Sequence, residues 1–526
     1  MLTSCYGKSI PQLLEDAYRN FPDKEALYDG KHRFTYREME MISTEIASGL
    51  SLLGVKKGDR VAVTLPVWSE FVLIFFAIAK LGAILVPFNT RYREDEAEYV
   101  LNHSGAKIVF FPKEYDQVDH LSQIQSIKSR VETIEHIISV RFESDGMMSL
   151  EHLRELGREN EFQHAKIDVK EDVFAFVYTS GTTGKPKGAM LTHSSLVDIN
   201  VSCSTAIETN HNDTILHLTP YFHIMGISAI LRVLICQGKA VLMESFRAER
   251  ALQLIDQEKI TIHPGVPTNF ILELNHPALK KYDLSSLRLA LMGGAPCPVE
   301  IVKRVREELG CAVLVSYGMT ETSPYLTYTS INDDDITQSE TVGRALPNVK
   351  LKVVDEQRRE VACGEVGELA CHTIGIMKGY YKMPEQTKEV IDDEGWYYTG
   401  DFATKDEKGY IRIVGRKKDL IIRGGYNIYP GEIEEVFYTH PDVLEVSIVG
   451  VADSVLGEVS CAAIMLKPGR HVTEEELQSF IKPKVADYKH PDHIVIVNEF
   501  PKTPTGKVKK HELKDILINK KLVALR

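Results

Sequence analysis

The sequence lacks the cysteine and histidine patterns of a zinc or disulfide-stapled protein. Its eight cysteines are scattered, without a CxxC pair and without histidines at zinc-ligand spacing. We therefore expect reduced, partly buried thiols and a cytoplasmic location. The first residues lack a basic region followed by a long apolar run, so we expect no secretory signal peptide.

Long apolar runs and internal repeats are absent too. The longest apolar stretch, residues 71–78, stops at Lys80 and is too short to span a bilayer. It predicts a buried helix, and we expect no integral membrane segment. The lack of a repeat or low-complexity segment excludes solenoid and fibrous classes.

Positive charge is also scarce. With 62 basic and 74 acidic residues, the formal net charge is −12, whereas nucleic-acid binders usually show a basic excess. We expect no nucleic-acid partner. An acidic enzyme can still bind a nucleotide where its site concentrates lysines, arginines, backbone N–H groups or a metal ion. The sequence leaves open whether the protein is a homo-oligomer.

The chain of 526 residues is too long for one core, which indicates at least two units. A predicted strand at 60–63, a helix at 71–80 and a strand at 84–86 indicate parallel α/β architecture. Later strands at 173–178, 289–292 and 312–315 end at glycine-rich or polar loops, where open α/β sheets place ligands.

A short charged run at 415–419 marks a predicted boundary between residues 1–416 and residues 417–526. The second unit reads as helix 430–438, strand 443–449, strand 461–466, helix 473–482 and strand 493–497. This order predicts a small α+β domain. On its own, the charged run is more typical of a solvated surface turn.

Residues 179–188 have the composition of a phosphate-binding loop, with four hydroxyl side chains, three glycines and two lysines. Glycines let backbone N–H groups approach an anion, hydroxyls donate hydrogen bonds and lysines supply charge. The spacing is not that of a Walker loop, because only two residues separate Gly181 from Gly184 and Pro186 follows Lys185. We expect a strand before it and a helix from Ser194 after it. A flexible surface loop is the alternative.

Residues 178–188 resemble the signature loop of the adenylate-forming superfamily, which includes acyl-CoA synthetases, coumarate-CoA ligases, firefly luciferase and peptide-synthetase adenylation domains. Five further stretches resemble that superfamily's motifs in the same order, and the likeness spans nearly the whole chain. They are the adenine and metal motif at 316–321, the ribose motif at 398–401, the hinge at 415–419, the thiol-access motif at 424–434 and the catalytic-lysine loop at 504–507.

The resemblance implies a large N-terminal AMP-binding part with an acyl pocket and a mobile C-terminal domain. It assigns nucleotide binding to the phosphate loop, the adenine loops and the ribose motif, and thiol access to a glycine pair. The residues implied are Thr179, Ser180, Gly181, Thr182, Thr183, Gly184, Lys187, Gly294, Ala295, Pro296, Ser316, Tyr317, Gly318, Asp401, Arg416, Gly424 and Gly425.

The implied catalytic group is Lys507, with Thr320 at the α-phosphate, His223 beside the substrate carboxylate and Glu321 on Mg²⁺. Adenylation brings a carboxylate onto an anionic phosphate, so catalysis consists mainly of charge neutralisation and alignment. The superfamily turns its C-terminal domain about the hinge between its two half-reactions. Lys418 occupies the pivot, where many members carry Asp.

The implied function is an ATP-dependent acid–CoA ligase whose partners are a carboxylic acid, ATP and CoA. The inferred pocket positions are small or apolar, without a charge to match a second carboxylate. They are Met225, Gly226, Gly294, Gly318 and Met319. This favours a medium- or long-chain fatty acid, with an aryl or arylalkenyl acid as the alternative. His223, in place of an Asp, disfavours amino acids. A luciferase-like oxygenase and a non-catalytic nucleotide-binding module remain open.

Overall fold

The computed structural model describes residues 2–179, 185–294, 297–424, 426–453, 455–503 and 507–519. Several predicted site residues lie outside this described part of the chain. They are Ser180, Gly181, Thr182, Thr183, Gly184, Ala295, Pro296 and Gly425.

The helices of the described residues are distributed along the whole chain. They are α1 (Ile10–Asn20), α2 (Tyr36–Leu52), α3 (Ser69–Lys80), α4 (Glu94–Ser104), α5 (His120–Lys128), α6 (Leu150–Arg158), α7 (His193–Ala206), α8 (Ile224–Cys236), α9 (Ala248–Glu258), α10 (Pro267–Leu274), α11 (Val299–Arg304), α12 (Asp335–Glu340), α13 (Pro384–Val390), α14 (Pro430–Tyr438), α15 (Glu474–Ile481) and α16 (Lys510–Asn519).

The strands of the described residues are also spread along the whole chain, and in its first two thirds they alternate with the helices. They are β1 (Glu25–Tyr28), β2 (Arg33–Thr35), β3 (Arg60–Val63), β4 (Ile84–Pro87), β5 (Ile108–Phe111), β6 (Glu114–Tyr115), β7 (Val118–Asp119), β8 (His136–Ser139), β9 (Met148–Ser149), β10 (Val173–Thr179), β11 (Lys187–Thr192), β12 (Thr214–His217), β13 (Lys239–Leu242), β14 (Ile262–Gly265), β15 (Leu289–Gly293), β16 (Ala312–Gly318), β17 (Tyr325–Tyr328), β18 (Arg344–Ala345), β19 (Val349–Val354), β20 (Gly367–Thr373), β21 (Tyr397–Lys405), β22 (Ile411–Arg416), β23 (Ile421–Arg423), β24 (Tyr426–Ile428), β25 (Val443–Asp453), β26 (Gly457–Leu466) and β27 (His493–Ile496).

Helix α2 shows how local chemistry sets an element's bounds. The backbone N–H of Glu38 donates to the Thr35 hydroxyl at 3.2 Å, and the backbone N–H of Thr35 donates to the Glu38 carboxylate at 2.8 Å. This reciprocal cap satisfies donors that the first helical turn leaves unpaired. Gly54, with φ of 82°, follows the end of the helix.

Two large, mostly parallel sheets form the N-terminal part. One runs in the order β11-β10-β4-β3-β5-β8-β9, and the other runs β18-β17-β16-β15-β14-β12-β13-β1-β2. Helix α3, apolar on all sides and buried throughout, packs beside the first sheet. In the second sheet, β15 and β16 pair in parallel so that Gly293 lies opposite Ser316. Their carboxyl ends therefore open at one shared edge.

The segment after the phosphate loop differs from the prediction. The helix expected from Ser194 is present, but an unpredicted strand precedes it: Lys187 and Gly188 begin β11, which pairs antiparallel with β10. The apolar residues Ala189 and Leu191 are buried in this hairpin, and only then does α7 start at His193. Pairing with β10 gives this short run a partner that local sequence does not reveal.

Strands β6 and β7 pair as a separate two-stranded sheet, and two further sheets lie in the C-terminal third of the described residues. An antiparallel sheet runs β19-β20-β21-β22, and a further sheet runs β24-β23-β26-β25 with β27 paired to β26. Ile433 and Phe437 of α14 pack on this last sheet in a hydrophobic cluster of their own. The predicted α/β class with a small α+β unit is confirmed, whereas the boundary between residues 416 and 417 stays a prediction. Over the described ranges, no helix has the length and apolarity needed to cross a bilayer.

Candidate active site

The side chains of Tyr317 and Asp401 meet at the edge of the second large sheet. The Tyr317 hydroxyl, at the end of β16, donates to Oδ2 of Asp401 on β21 at 2.6 Å. Burial and the neighbouring carboxylate raise the pKa of Tyr317 well above its usual value, so the phenol stays a donor. The sequence placed these residues in separate motifs 84 positions apart, and the structure brings them together.

Asp401 is held by its own backbone and by a basic neighbour. The carboxylate is only 5% exposed, and the Asp401 N–H donates to the Thr399 hydroxyl at 3.1 Å. Across the β21–β22 pairing, Arg416 places its Nε 3.4 Å from Oδ1 of Asp401. The predicted ribose-binding residues therefore form one fixed cluster, with an acidic acceptor beside a guanidinium.

Lys507 reaches this cluster from the C-terminal end of the chain. A Cβ added to Gly294 would lie 3.3 Å from Cε of Lys507, so the glycine leaves just enough room for the lysine. Burial lowers the pKa of the Lys507 ammonium, the Arg416 charge lowers it further and Asp401 opposes both. The backbone N–H of Lys507 donates to the Thr503 hydroxyl at 3.1 Å, which fixes the segment that carries the lysine.

His223 lies in the same neighbourhood, at the start of helix α8. Its Nδ1 accepts a hydrogen bond from the Met225 backbone N–H at 3.3 Å. Burial and the positive charge of Lys507 lower the pKa of His223 to about 4. The imidazole is therefore neutral near pH 7, and because Nδ1 is an acceptor, the proton is assigned to Nε2.

Glu321 sits in the 3₁₀ turn Thr320–Thr322 with only 8% of its surface exposed. Its Oε1 accepts a hydrogen bond from the Tyr380 hydroxyl at 2.8 Å, and the Nζ of Lys187 lies 4.9 Å from the Tyr380 ring centroid. Thr320 is buried in the same turn. Tyr380 was missed by the sequence analysis because no local pattern marks it; only the fold brings it to Glu321.

The donor set around Glu321 fits Mg²⁺. Mg²⁺ in nucleotide enzymes is usually held by one or two carboxylates together with substrate phosphate oxygens. Among the described residues, no group of three or more potential metal ligands occurs. A single hydrogen-bonded carboxylate near the base of the phosphate loop suits an ion that arrives with its nucleotide.

The two borders of the phosphate loop are well placed. Thr179 pairs with Lys187 across the β10–β11 hairpin, so both ends of the loop leave the sheet at the same point. The Tyr178 hydroxyl lies 2.9 Å from Nδ1 of His103, and this contact anchors the end of strand β10 to helix α4. The loop therefore emerges at a fixed position on the first sheet.

Gly318 and Ser316 have clear packing roles at the end of β16. A Cβ on Gly318 would lie 1.7 Å from the Pro324 carbonyl oxygen, so backbone contact alone requires glycine there. The Ser316 hydroxyl donates to the Met292 carbonyl oxygen at 3.2 Å, which locks β16 to β15. The sequence analysis had placed Gly318 only among the implied nucleotide-binding and acyl-pocket positions.

Gly424 is not brought to this cluster. It has φ of 55° in the turn between β23 and β24, and its N–H donates to the Leu456 carbonyl oxygen at 2.8 Å. In the described part of the chain, these contacts stay inside the C-terminal sheet. The structure therefore places Lys507, and not Gly424, near Asp401.

Comparison with protein families decides the assignment. The model of the AMP-binding enzyme family matches residues 14–381, and that of the AMP-binding enzyme C-terminal domain matches residues 432–507. The chain belongs to the AMP-binding enzyme family. The predicted adenylate-forming membership is thus confirmed.

Two curated relatives of this AMP-binding enzyme match over nearly their whole length. YngI of Bacillus subtilis (strain 168), named provisionally as an acyl-CoA synthetase, is 38% identical over 96% of each chain. The human mitochondrial medium-chain acyl-CoA ligase ACSF2 is 34% identical, covering 97% of this chain and 87% of the human one.

Solved structures of MatB from Rhodopseudomonas palustris give the same fold in two forms. The ATP-bound form aligns with a TM-score of 0.88 at 29% identity, over 96% of this chain and 99% of MatB. The apo form aligns with a TM-score of 0.77 at 29% identity and the same coverage. This AMP-binding enzyme is an ATP-dependent, AMP-forming acid–CoA ligase that uses ATP and CoA, as predicted.

Proposed function

We propose that the chain joins a medium-chain carboxylic acid to CoA through an acyl-adenylate formed beside Lys507. The observation that carries this proposal is the convergence of Lys507, Asp401 and Tyr317 on one site. The name of the human relative, a medium-chain acyl-CoA ligase, supports the acid class. The higher TM-score of ATP-bound MatB supports an adenylation-competent orientation.

Nucleotide binding follows from the fixed cluster. Asp401 accepts hydrogen bonds from the ribose hydroxyls, as acidic residues do in other nucleotide sites, while Tyr317 offers its ring to adenine. The 2.6 Å hydrogen bond between these side chains ties base recognition to sugar recognition. Arg416 adds a guanidinium next to the ribose and the phosphates.

Charge neutralisation drives the first half-reaction. The acid carboxylate attacks the α-phosphate, pyrophosphate leaves, and the Lys507 ammonium stabilises the negative charge that accumulates between the two. Lys187 and the phosphate loop hold the leaving pyrophosphate, and Thr320 donates to the α-phosphate. Mg²⁺, held by Glu321, would supply further compensation of phosphate charge.

Neutral His223 orients the acid. Its Nε2–H donates to the substrate carboxylate and orients the attacking oxygen. The pKa of about 4 keeps this donor unchanged throughout the physiological range. The acid therefore meets one neutral donor, His223, and one cation, Lys507.

The second half-reaction uses another domain orientation. Residues 417–526 form the mobile unit, and Lys418 lies at its pivot, inside the 3₁₀ turn Lys417–Asp419. Rotation of this unit removes Lys507 and brings Gly424 and Gly425 to the site, where the CoA thiol attacks the acyl-adenylate. The cytoplasmic location and the oligomeric state stay predictions.

The decisive experiment is mass spectrometry of the products formed from a mixture of acids, ATP, Mg²⁺ and CoA. We expect AMP, pyrophosphate and the CoA thioester of a medium-chain acid. Thioesters of aryl acids alone would replace the proposed acid class with the aryl alternative. Nucleotide binding without pyrophosphate release for any acid would contradict the proposal.

A further inference from the structure

Helix α8, which starts next to His223, contains one charged residue in an otherwise apolar sequence. This residue is Arg232, and its side chain is only 1% exposed. Arginine is almost never fully buried unless it is paired, because removing a charge from water is costly. A partner that balances the charge of Arg232 is therefore expected nearby.

The surroundings of Arg232 supply hydrogen bonding but no opposite charge. Its Nη2 donates to the Tyr328 hydroxyl at 3.2 Å, and its Cζ lies 5.4 Å from the Tyr325 ring centroid. Over the described residues, Arg232 forms no ion pair with an aspartate or glutamate. Buried arginines normally satisfy both charge and geometry with a carboxylate.

The other ionisable neighbours of Arg232 are neutral near pH 7. Burial raises the pKa of the Cys203 thiol to about 12 and that of Tyr328 well above its usual value. Burial and the Arg232 charge lower the pKa of His217 to about 3. None of these groups carries the negative charge that would balance the guanidinium.

Three polar atoms in this region also lack hydrogen-bond partners within the described part of the chain. They are Nε of Arg232, Oγ of Ser228 and Nε2 of His217. Ser228 and Arg232 are four residues apart, so they lie on the same face of α8. Nδ1 of His217 is already engaged by the Tyr221 hydroxyl at 3.1 Å. A fixed cation with unused donors beside it suits a carboxylate ligand.

The same helix face connects Arg232 to the acid-binding end. Met225, an inferred acyl-pocket position, shares the face with Ser228 and Arg232 by its spacing. Arg232 is nine positions after His223, about 13.5 Å along the axis at the rise of an α-helix, and helical side chains tilt toward the N-terminus. In the adjacent sheet, Tyr325 pairs with Gly318, another inferred pocket position.

We propose that Arg232 binds a second carboxylate at the far end of the substrate, which makes the substrate an α,ω-dicarboxylic acid of medium length. This inference rests on the proposed function, since one carboxylate must be adenylated beside His223 and Lys507. The second carboxylate supplies the negative charge that the surroundings of Arg232 do not provide. The sequence analysis found no such charge because it considered only the pocket positions nearest the motifs.

Pairs of acids that differ only at the far end test the inference. Pyrophosphate release is measured with hexanedioate against hexanoate, octanedioate against octanoate and decanedioate against decanoate. We expect the wild type to prefer one dicarboxylate by about 100-fold in kcat/KM, because unpaired buried polar groups strongly reject an analogue that cannot bind them. Arg232→Met should remove this preference, whereas Arg359→Met, at an exposed ion pair with Asp355, should keep it.

A thermal-shift measurement without ATP separates recognition from folding. The best dicarboxylate should raise the Tm of the wild type and of Arg359→Met but not that of Arg232→Met. Equal or better use of the monocarboxylates by the wild type would overturn the inference and leave the proposed function intact. That comparison decides the matter even if Arg232→Met does not fold. Failure of every acid to release pyrophosphate would instead overturn the proposed function, and the inference with it.

Discussion

The Tyr380 hydroxyl donates a hydrogen bond to Oε1 of Glu321 at 2.8 Å, inside a buried turn. This bond fixes one carboxylate oxygen, so Glu321 keeps a single orientation. Lys187 lies over the same tyrosine ring. The proposed metal carboxylate and the end of the phosphate loop are thus positioned by one side chain.

Tyr380→Phe should weaken the response to Mg²⁺. A hydrogen bond to a charged group contributes more free energy than one between neutral groups. Loss of the bond to Glu321 should therefore raise the Mg²⁺ concentration for half-maximal pyrophosphate release by about 10-fold. The measurement is a Mg²⁺ titration at saturating acid. Tyr381→Phe is the matched control, because Tyr381 follows Tyr380 in the chain but packs its ring on Phe176, with the two ring centroids 4.3 Å apart. Identical titration curves for both variants would contradict the positioning role.

Lys507→Ala should block adenylation selectively. Removal of one preorganised charge-stabilising group commonly lowers a rate by about 10²–10³-fold. Thioester formation from supplied acyl-adenylate and CoA should be largely retained, because another domain face serves that step. Lys509→Ala, two residues away in an exposed pair with Glu512, is the control. Equal loss in both half-reactions would refute the two-orientation scheme.

The pH profile should report the depressed pKa of Lys507. The protonated ammonium is the active form. The adenylation rate is therefore at its maximum below the pKa of Lys507 and falls as the pH rises through that pKa. Because burial and Arg416 lower that pKa, the alkaline limb of kcat/KM should lie below the usual lysine value of about 10.4. Lys507→Arg should remove the limb from the accessible range. A wild-type limb at or above the usual value would contradict the assignment.

Gly294→Ala should lower the adenylation rate by more than its loss of folding stability explains. The glycine has φ of 82°, and an added Cβ would lie 3.3 Å from Cε of Lys507. Gly310→Ala is a matched control, since Gly310 has φ of 73° with nothing within 4 Å of the added atom. Both variants carry backbone strain of about 1–2 kcal/mol. Similar Tm values with a lower adenylation rate only in Gly294→Ala would show that Lys507 was displaced.

Sequence reasoning succeeded where local chemistry sets the structure. Helix α14, for example, begins and ends at the predicted residues Pro430 and Tyr438. Motif order also led us to expect Asp401 and Lys507 in one site; the structure brings their charges near each other, and their roles stay predictions. In each case the signal lies in residues that are neighbours in the chain or in a recognised motif.

The failures concern pairing between distant residues. Strand β11 was missed because its short sequence shows no clear periodicity. Its pairing with β10 across the phosphate loop becomes visible only in the structure. Tyr380 meets Glu321 only after 59 residues of intervening chain. Arg232 did carry a signal, a lone charge within an apolar helix, but its burial among neutral groups becomes visible only in three dimensions.

The pairing of Asp401 with Arg416 has a consequence for the order of events. Arg416 ends β22, and the turn that holds the pivot begins at the next residue, Lys417. Under the proposed function, one guanidinium therefore lies beside both the nucleotide ribose and the pivot of the mobile unit. Because Arg416 lies before the pivot and the acyl-adenylate keeps its ribose, the proposed contact persists through the rotation and ends only when AMP leaves after thioester formation.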